Sequence, residues 1–323
     1  MNLPEGIEAR PLTTDDAAAM AVLVAAKVVA DQDVDNLDAE DLAEELRQPG
    51  LDLERDTTSL WEGGQLVGYG LVLASQSVTD LDRVRTDAVV HPEWRGRGFG
   101  TALTQWIIDR ARELHAATFP EVPGYVAAGA VITNAGAAEL LTGFGFEAVR
   151  YYFDMRRPFD QPIPDVPLAD GFELSPFDGA REDELREAHF EAFSDHWGWT
   201  RPTPEAWRAR TIESRAFRGA QSYVVTDGDT VAAYVNCYEY PASTEATGVR
   251  ELYIGQVGTR RAYRGRGLAR AALAKVLAEA ARAGYERGAL GVDGDNPTGA
   301  LGLYEKLGFS THQKFVNYQL ALA

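Results

Sequence analysis

Cysteine is nearly missing from this chain of 323 residues: Cys237 is the one thiol, which excludes an internal disulfide framework and a cysteine-based zinc cluster. It stands in the apolar run VAAYVNCY and reads as a small buried side chain, not a nucleophile. Lysine is scarce as well, four residues against 27 arginines, and the net charge is −18. That balance argues against general affinity for nucleic acid or an anionic membrane, though one basic loop can still hold a phosphate. No apolar run approaches the roughly 18 residues that span a bilayer. The opening MNLPEGIEARPLTTDD has neither a basic start nor an apolar stretch, so the sequence predicts a cytoplasmic protein without a secretory signal. The composition is otherwise that of a soluble globular protein, long enough for two domains of about 150 residues.

An internal repeat makes the two domains concrete. PEWRGRGFGTALT (92–104) and RAYRGRGLARAAL (261–273) carry nearly the same arginine–glycine stretch, with Arg95 and Arg264 lying 169 residues apart. Downstream, NAGAAELLTGFGF and DNPTGALGLYEKLGF end in Gly145-Phe146 and Gly308-Phe309. Upstream, residues 61–75 and 223–239 each read as two strands joined by a glycine turn. Each half is thus a helical start, a hairpin, a strand, the loop, a helix, a strand, an asparagine-containing loop, a helix, Gly-Phe and a final strand.

Pro158, Pro162, Pro164 and Pro167 prevent helix and weaken strand, which predicts a linker over 158–170 between domains 1–157 and 171–323. The acidic stretch from Asp31 to Glu45 reads as a solvated helix face and its preceding loop.

In each half the glycines sit where a strand turns into a helix. Leu268, Ala272, Val276, Leu277 and Ala280 repeat at helical spacing up to Gly284, and Phe99, Leu103, Trp106, Ile107 and Leu114 do the same after the first loop. A helix N-terminus exposes unsatisfied N–H groups and the positive end of the macrodipole, so it holds phosphate readily. Glycine lets the backbone approach an anion closely, and the neighbouring arginines add charge-assisted donors. A P-loop is excluded because no Gly-Lys-Ser/Thr follows, and a dinucleotide fingerprint because the third glycine is missing at its spacing.

What remains is Arg-x-x-Gly-x-Gly/Ala, as Arg95-Gly96-Arg97-Gly98-Phe99-Gly100 and Arg264-Gly265-Arg266-Gly267-Leu268-Ala269. Together with Asn296, Tyr304, Gly308 and Phe309, this pattern resembles the coenzyme A pyrophosphate loop of the GCN5-related N-acetyltransferases. The resemblance covers both halves. It implies an α/β (α+β) fold of two tandem domains, each with a mixed, mostly antiparallel twisted sheet flanked by helices. It further implies acetyl-CoA as acyl donor, no metal, and a small-molecule or peptide amine as acceptor, in a monomer or homodimer.

By the same resemblance the thioester lies against the strand before the loop, at Val257, Gly258 and Thr259 in the second half and at Val89 and Val90 in the first. Acetyl transfer needs a deprotonated amine, a donor for the carbonyl oxygen and an acid for the leaving thiolate. Backbone N–H around Val257 is the expected carbonyl donor, and Tyr304, a hydroxyl of ordinary pKa about 10, the expected acid. Five residues before the Gly-Phe phenylalanine the first half has Leu141, which carries no proton, so the second domain is expected to be catalytic and the first degenerate. Glu251 on the entering strand is the candidate base, Asn296 a helix cap or cofactor contact, and Asp195, His196 and Trp197 candidate acceptor contacts. A noncatalytic acyl-CoA sensor is the competing reading, against which the retained Tyr304 counts.

Overall fold

The computed structural model describes every residue except Asn2, Thr79, Asn296, Pro297, Thr298 and Ala323. The expected role of Asn296 therefore lies outside the described residues. In chain order the first half forms β1 (Ile7–Arg10), α1 (Ala17–Asp31), α2 (Ala39–Leu46), α3 (Leu53–Asp56), β2 (Thr57–Glu62), β3 (Gln65–Leu73), β4 (Asp82–Val90), α4 (Phe99–Thr118), β5 (Gly124–Val131), α5 (Ala135–Gly143) and β6 (Glu147–Pro158). The second forms β7 (Glu173–Pro176), α6 (Glu182–Phe193), α7 (Pro204–Arg210), β8 (Tyr223–Asp227), β9 (Thr230–Tyr238), α8 (Pro241–Thr247), β10 (Glu251–Thr259), α9 (Leu268–Arg282), β11 (Arg287–Asp293), α10 (Ala300–Lys306) and β12 (Ser310–Leu322). Both predicted hairpins form, turning at Gly63-Gly64 and at Gly228, all at positive φ.

The chain folds as two compact units, Met1–Tyr151 with the residues from Gln313 on, and Tyr152–His312. In the first, β1 to β4 pair antiparallel in sequence order, β4 and β5 run parallel, and β5 pairs antiparallel with β12, Val131 facing Phe315. In the second, β7 to β10 pair antiparallel, β10 and β11 run parallel, and β11 pairs antiparallel with β6, Asp293 facing Tyr152. The two topologies are the same, but the last strand of each half completes the other unit.

This exchange moves the boundary read from the prolines. The change of unit falls at 151/152, ahead of Pro158, and the final strand leaves the second half altogether. Nor is 158–170 a free connector: Phe159, Ile163, Val166, Leu168 and Ala169 pack on the second unit's core. Pro158 is the last residue of β6, and the stretch holding the three prolines after it has no helix or strand yet packs on the core.

Apolar periodicity fixes both helices that follow the loops. Leu268, Ala272, Val276, Leu277 and Ala280 are all buried against β9–β11, and Gly284 ends the helix at φ +83°. In α4, Leu103 and Ile107 are buried, while Trp106 and Leu114 cover the core's flank. Each fully buried leucine contributes roughly 1.5–3 kcal/mol before its entropy cost. Cys237 is wholly buried on β9 and desolvation pushes its thiol pKa far up, the state of an inert packing residue.

Candidate active site

In the second unit the parallel register of β10 and β11 runs only over Glu251–Tyr253 with Arg287–Ala289. Immediately beyond it β10 carries a bulge, the register against β9 shifting between Ile254 and Gln256 and leaving Gly255 unopposed. Gly255 and Gly258 each give up the space of a side chain to a β9 tyrosine. A Cβ at Gly255 would lie 2.5 Å from Tyr238 Cε2, and one at Gly258 2.5 Å from Tyr234 Cζ.

The loop that follows has the same backbone in both units. A 3-10 turn (Arg261–Tyr263, or Pro92–Trp94) leads to two glycines at positive φ, Gly265 (+78°) and Gly267 (+77°), or Gly96 (+76°) and Gly98 (+87°). Gly267 and Gly98 are N-caps without a side chain, so no side-chain acceptor covers the first-turn N–H groups of α9 and α4. A Cβ at any of these four glycines would meet nothing within 4 Å, so the positive φ alone calls for glycine.

A cavity of about 650 Å³ opens at the α9 N-terminus. Its walls include Val257, Gly258, Thr259, Arg264, Gly265, Gly267, Leu268 and Ala269 at one end, with Tyr152, His196, Trp197, Gly291, Asp293 and Tyr304 around the rest. The volume lies within the range of a cofactor-sized pocket. Of the residues singled out from sequence, the structure thus gathers loop, strand, Tyr304, His196 and Trp197 into one cavity. Arg266 is next to it, its guanidinium over the rings of Tyr263 and Phe172.

Tyr304 is buried, lies edge-on to Phe309 and borders the cavity. Desolvation raises its pKa to about 12, so it stays protonated at neutral pH. Burial lowers the pKa of His196, which stacks on Phe193 with ring centroids 4.3 Å apart. Phe193 stacks in turn on His189, whose Nδ1 is 2.7 Å from the fully buried Tyr234 hydroxyl. Burial takes His189 down to about 4.

Two residues stand elsewhere. Glu251 is outside the cavity wall, paired with Arg287 and 3.8 Å from Arg156 Nε. Asp195 is turned to the loop, its carboxylate on Arg261 and on Arg264 Nη1 at 3.0 Å, and those two contacts lower its pKa. Tyr152 and Asp293 are wall residues that the sequence reading missed. Asp293 ends β11, where an acidic residue closing a strand beside the motif was the available signal, whereas Tyr152 comes from β6 and had none.

In the first unit the loop cations are engaged within the protein. Arg95 makes a bidentate pair with buried Asp31 at 2.6 and 2.9 Å, which also accepts from Asn134 Nδ2. Arg97 pairs with Glu62 at 2.6 Å. Val89 is buried and Val90 half-buried on β4, whose pairing with β3 runs without a bulge. Leu141 is buried in the core. The acidic stretch is more than a solvated face: Asp31 holds Arg95, Asp33 pairs with Lys27, and Asp38 caps α2.

The family model for the acetyltransferase (GNAT) family matches residues 27–146 and 182–309, one match in each half. The chain belongs to the GNAT acetyltransferase family. Among relatives, this GNAT protein is 32% identical to the mycothiol acetyltransferase of Salinispora arenicola over 99% of both chains. It is also 32% identical to that of Salinispora tropica over 81% of its own length and 80% of the relative's. A GCN5-related N-acetyltransferase from Sphaerobacter thermophilus superposes with a TM-score of 0.78 at 28% identity, covering 99% and 97% of the two chains. A tandem GNAT protein from the clavulanic acid biosynthesis pathway shares the fold, with TM-score 0.68 and 17% identity over 98% and 99%. The protein is an N-acetyltransferase with a tandem fold, and acetyl-CoA is its donor. Its cavity fits an elongated anionic thioester, with uncapped N–H groups and arginines at one end and buried Tyr304 in its wall. Among the described residues no helix is long and apolar enough to cross a membrane, and no cluster of His, Cys, Asp and Glu could hold a metal ion.

Proposed function

We propose that the second unit carries out the acetyl transfer, to the primary amine of a small molecule or peptide, and that the first unit is architectural. The carrying observation is Tyr304, a protonated hydroxyl bordering the cavity at the loop, where the first half has Leu141. The missing bulge in β4 and the pairing of Arg97 with Glu62, where the second unit's Arg266 has no carboxylate partner among the described residues, support the same division.

When bound, acetyl-CoA supplies an activated acyl group on sulfur. First-turn N–H groups of α9, with Gly265 and Gly267, would hold its pyrophosphate, joined by Arg264. Backbone N–H at Val257, just past the bulge, stabilises the carbonyl oxygen as it gains charge. A carbon–nitrogen bond forms as the carbon–sulfur bond breaks, the amine gives up its proton, and Tyr304 Oη delivers one to the leaving sulfur. The sequence candidate for taking the amine's proton is Glu251, which stands outside the cavity wall, paired with Arg287, and would reach the amine only through a bridging water. His196 is the second reading for the base, favoured by its place in the wall and by a lowered pKa that keeps it neutral near pH 7.

For the acceptor, similarity to mycothiol acetyltransferases, over the whole length in one case and four fifths of it in another, supports the cysteinyl amine of desacetylmycothiol. Thiol release from acetyl-CoA, followed with that compound and with a panel of other primary amines, tests the reading. Turnover with desacetylmycothiol and its loss in Tyr304→Phe are expected. Turnover surviving in Tyr304→Phe but lost when Gly98 is replaced would move the chemistry to the first unit.

A further inference from the structure

Five arginines surround the loop of the second unit, and they fall into two sets. Arg260 pairs with Glu191 at 3.1 Å, while Arg261 and Arg264 share Asp195. Arg266 and Arg270 have no carboxylate partner among the described residues. Arg266 makes one long hydrogen bond, to the Ala262 carbonyl at 3.4 Å, and its guanidinium lies 5.4 Å from the Tyr263 ring centroid and 5.8 Å from that of Phe172. Stacking of this kind holds the guanidinium by its face and leaves the N–H edge available. Arg270, in the first turn of α9, is exposed and borders the cavity.

The first unit shows that the loop does not need this pair in order to fold. Its Arg97 is tied to Glu62, and Thr101 stands three residues after Gly98, as Arg270 stands three residues after Gly267. Two unpaired cations beside one helix N-terminus, on a chain of net charge −18, are suited to a concentrated anionic charge. The pyrophosphate already has the first-turn N–H groups and Arg264. A phosphate monoester is different: it carries nearly two charges at pH 7 and three acceptor oxygens, which two guanidinium edges satisfy.

We infer that Arg266 and Arg270 bind the ribose 3′-phosphate of the donor and make the second unit selective for acetyl-CoA over its 3′-dephospho form. This rests on the proposed acetyl-CoA site at α9. The test is calorimetric titration of the full chain with acetyl-CoA and with acetyl-3′-dephospho-CoA. The unaltered protein is expected to bind acetyl-CoA roughly 10- to 100-fold more tightly, the range of one or two charge-assisted contacts. Arg266→Gln and Arg270→Gln should each shrink that ratio, and the double variant should bring it close to one, with affinity for the dephospho form unchanged. A far-UV spectrum and melting curve matching the parent show that the variants are folded, and Arg270→Lys should keep part of the ratio.

Equal weakening toward both ligands would overturn the inference by placing the arginines on the pyrophosphate. Equal affinity of the unaltered protein for both would overturn it while leaving the donor site standing. Binding of neither would overturn the donor site itself.

Discussion

Gly258 and Tyr234 face each other across the β9–β10 register, and the tyrosine ring occupies the space where a Gly258 side chain would be. The ring cannot withdraw, since it is wholly buried and its hydroxyl is held by His189 at 2.7 Å. Gly258→Ala therefore has to displace β10 next to Val257. It should lower stability by roughly 1–3 kcal/mol, as overpacking does, and raise KM for acetyl-CoA. Chemical denaturation and steady-state kinetics check this, and a variant of parental stability would contradict the packing described.

Tyr304→Phe keeps the ring in the core and removes the proton donor. The kcat should fall by about 10²-fold or more, the usual contribution of a positioned acid, with acetyl-CoA affinity nearly unchanged. Because desolvation puts the Tyr304 pKa at about 12, the parent enzyme should show no loss from its ionisation below pH 10. A pH–rate profile read alongside binding separates this from a packing effect.

Glu251→Gln and His196→Asn discriminate the two candidate bases. If the proton leaves through water to Glu251, Glu251→Gln lowers kcat by about 10²-fold while His196→Asn acts mainly on KM for the amine. The reverse pattern would assign the base to the cavity wall. Melting curves are needed beside the kinetics, because Glu251→Gln also removes the carboxylate from Arg287.

The parts of the site legible in the sequence are those set by local chemistry. Gly265 and Gly267 mark positive φ, the apolar spacing after Leu268 marks a buried helix face, and the Tyr304/Leu141 contrast needs only alignment of the halves. What escaped depends on distant strands. Tyr152 joins the cavity because β6 pairs with β11, and nothing local in EAVRYYFDMRRP distinguishes that neighbour from another. The bulge at Gly255 leaves only a glycine in the sequence, and the engagement of Asp195 by Arg261 and Arg264 depends on where α6 ends relative to the loop. The exchange of final strands is hidden for the same reason: β6 and β12 present alternating patterns that suit either partner.

That exchange bears on how the chain is made. The first unit cannot complete its sheet until β12, synthesised after every strand of the second unit, reaches β5, so during translation the β5 edge waits with its backbone groups unpaired. A chain severed between 159 and 172 yields two fragments that each lack a strand. They should fold poorly apart and recover on mixing, which makes the protein a natural subject for fragment complementation.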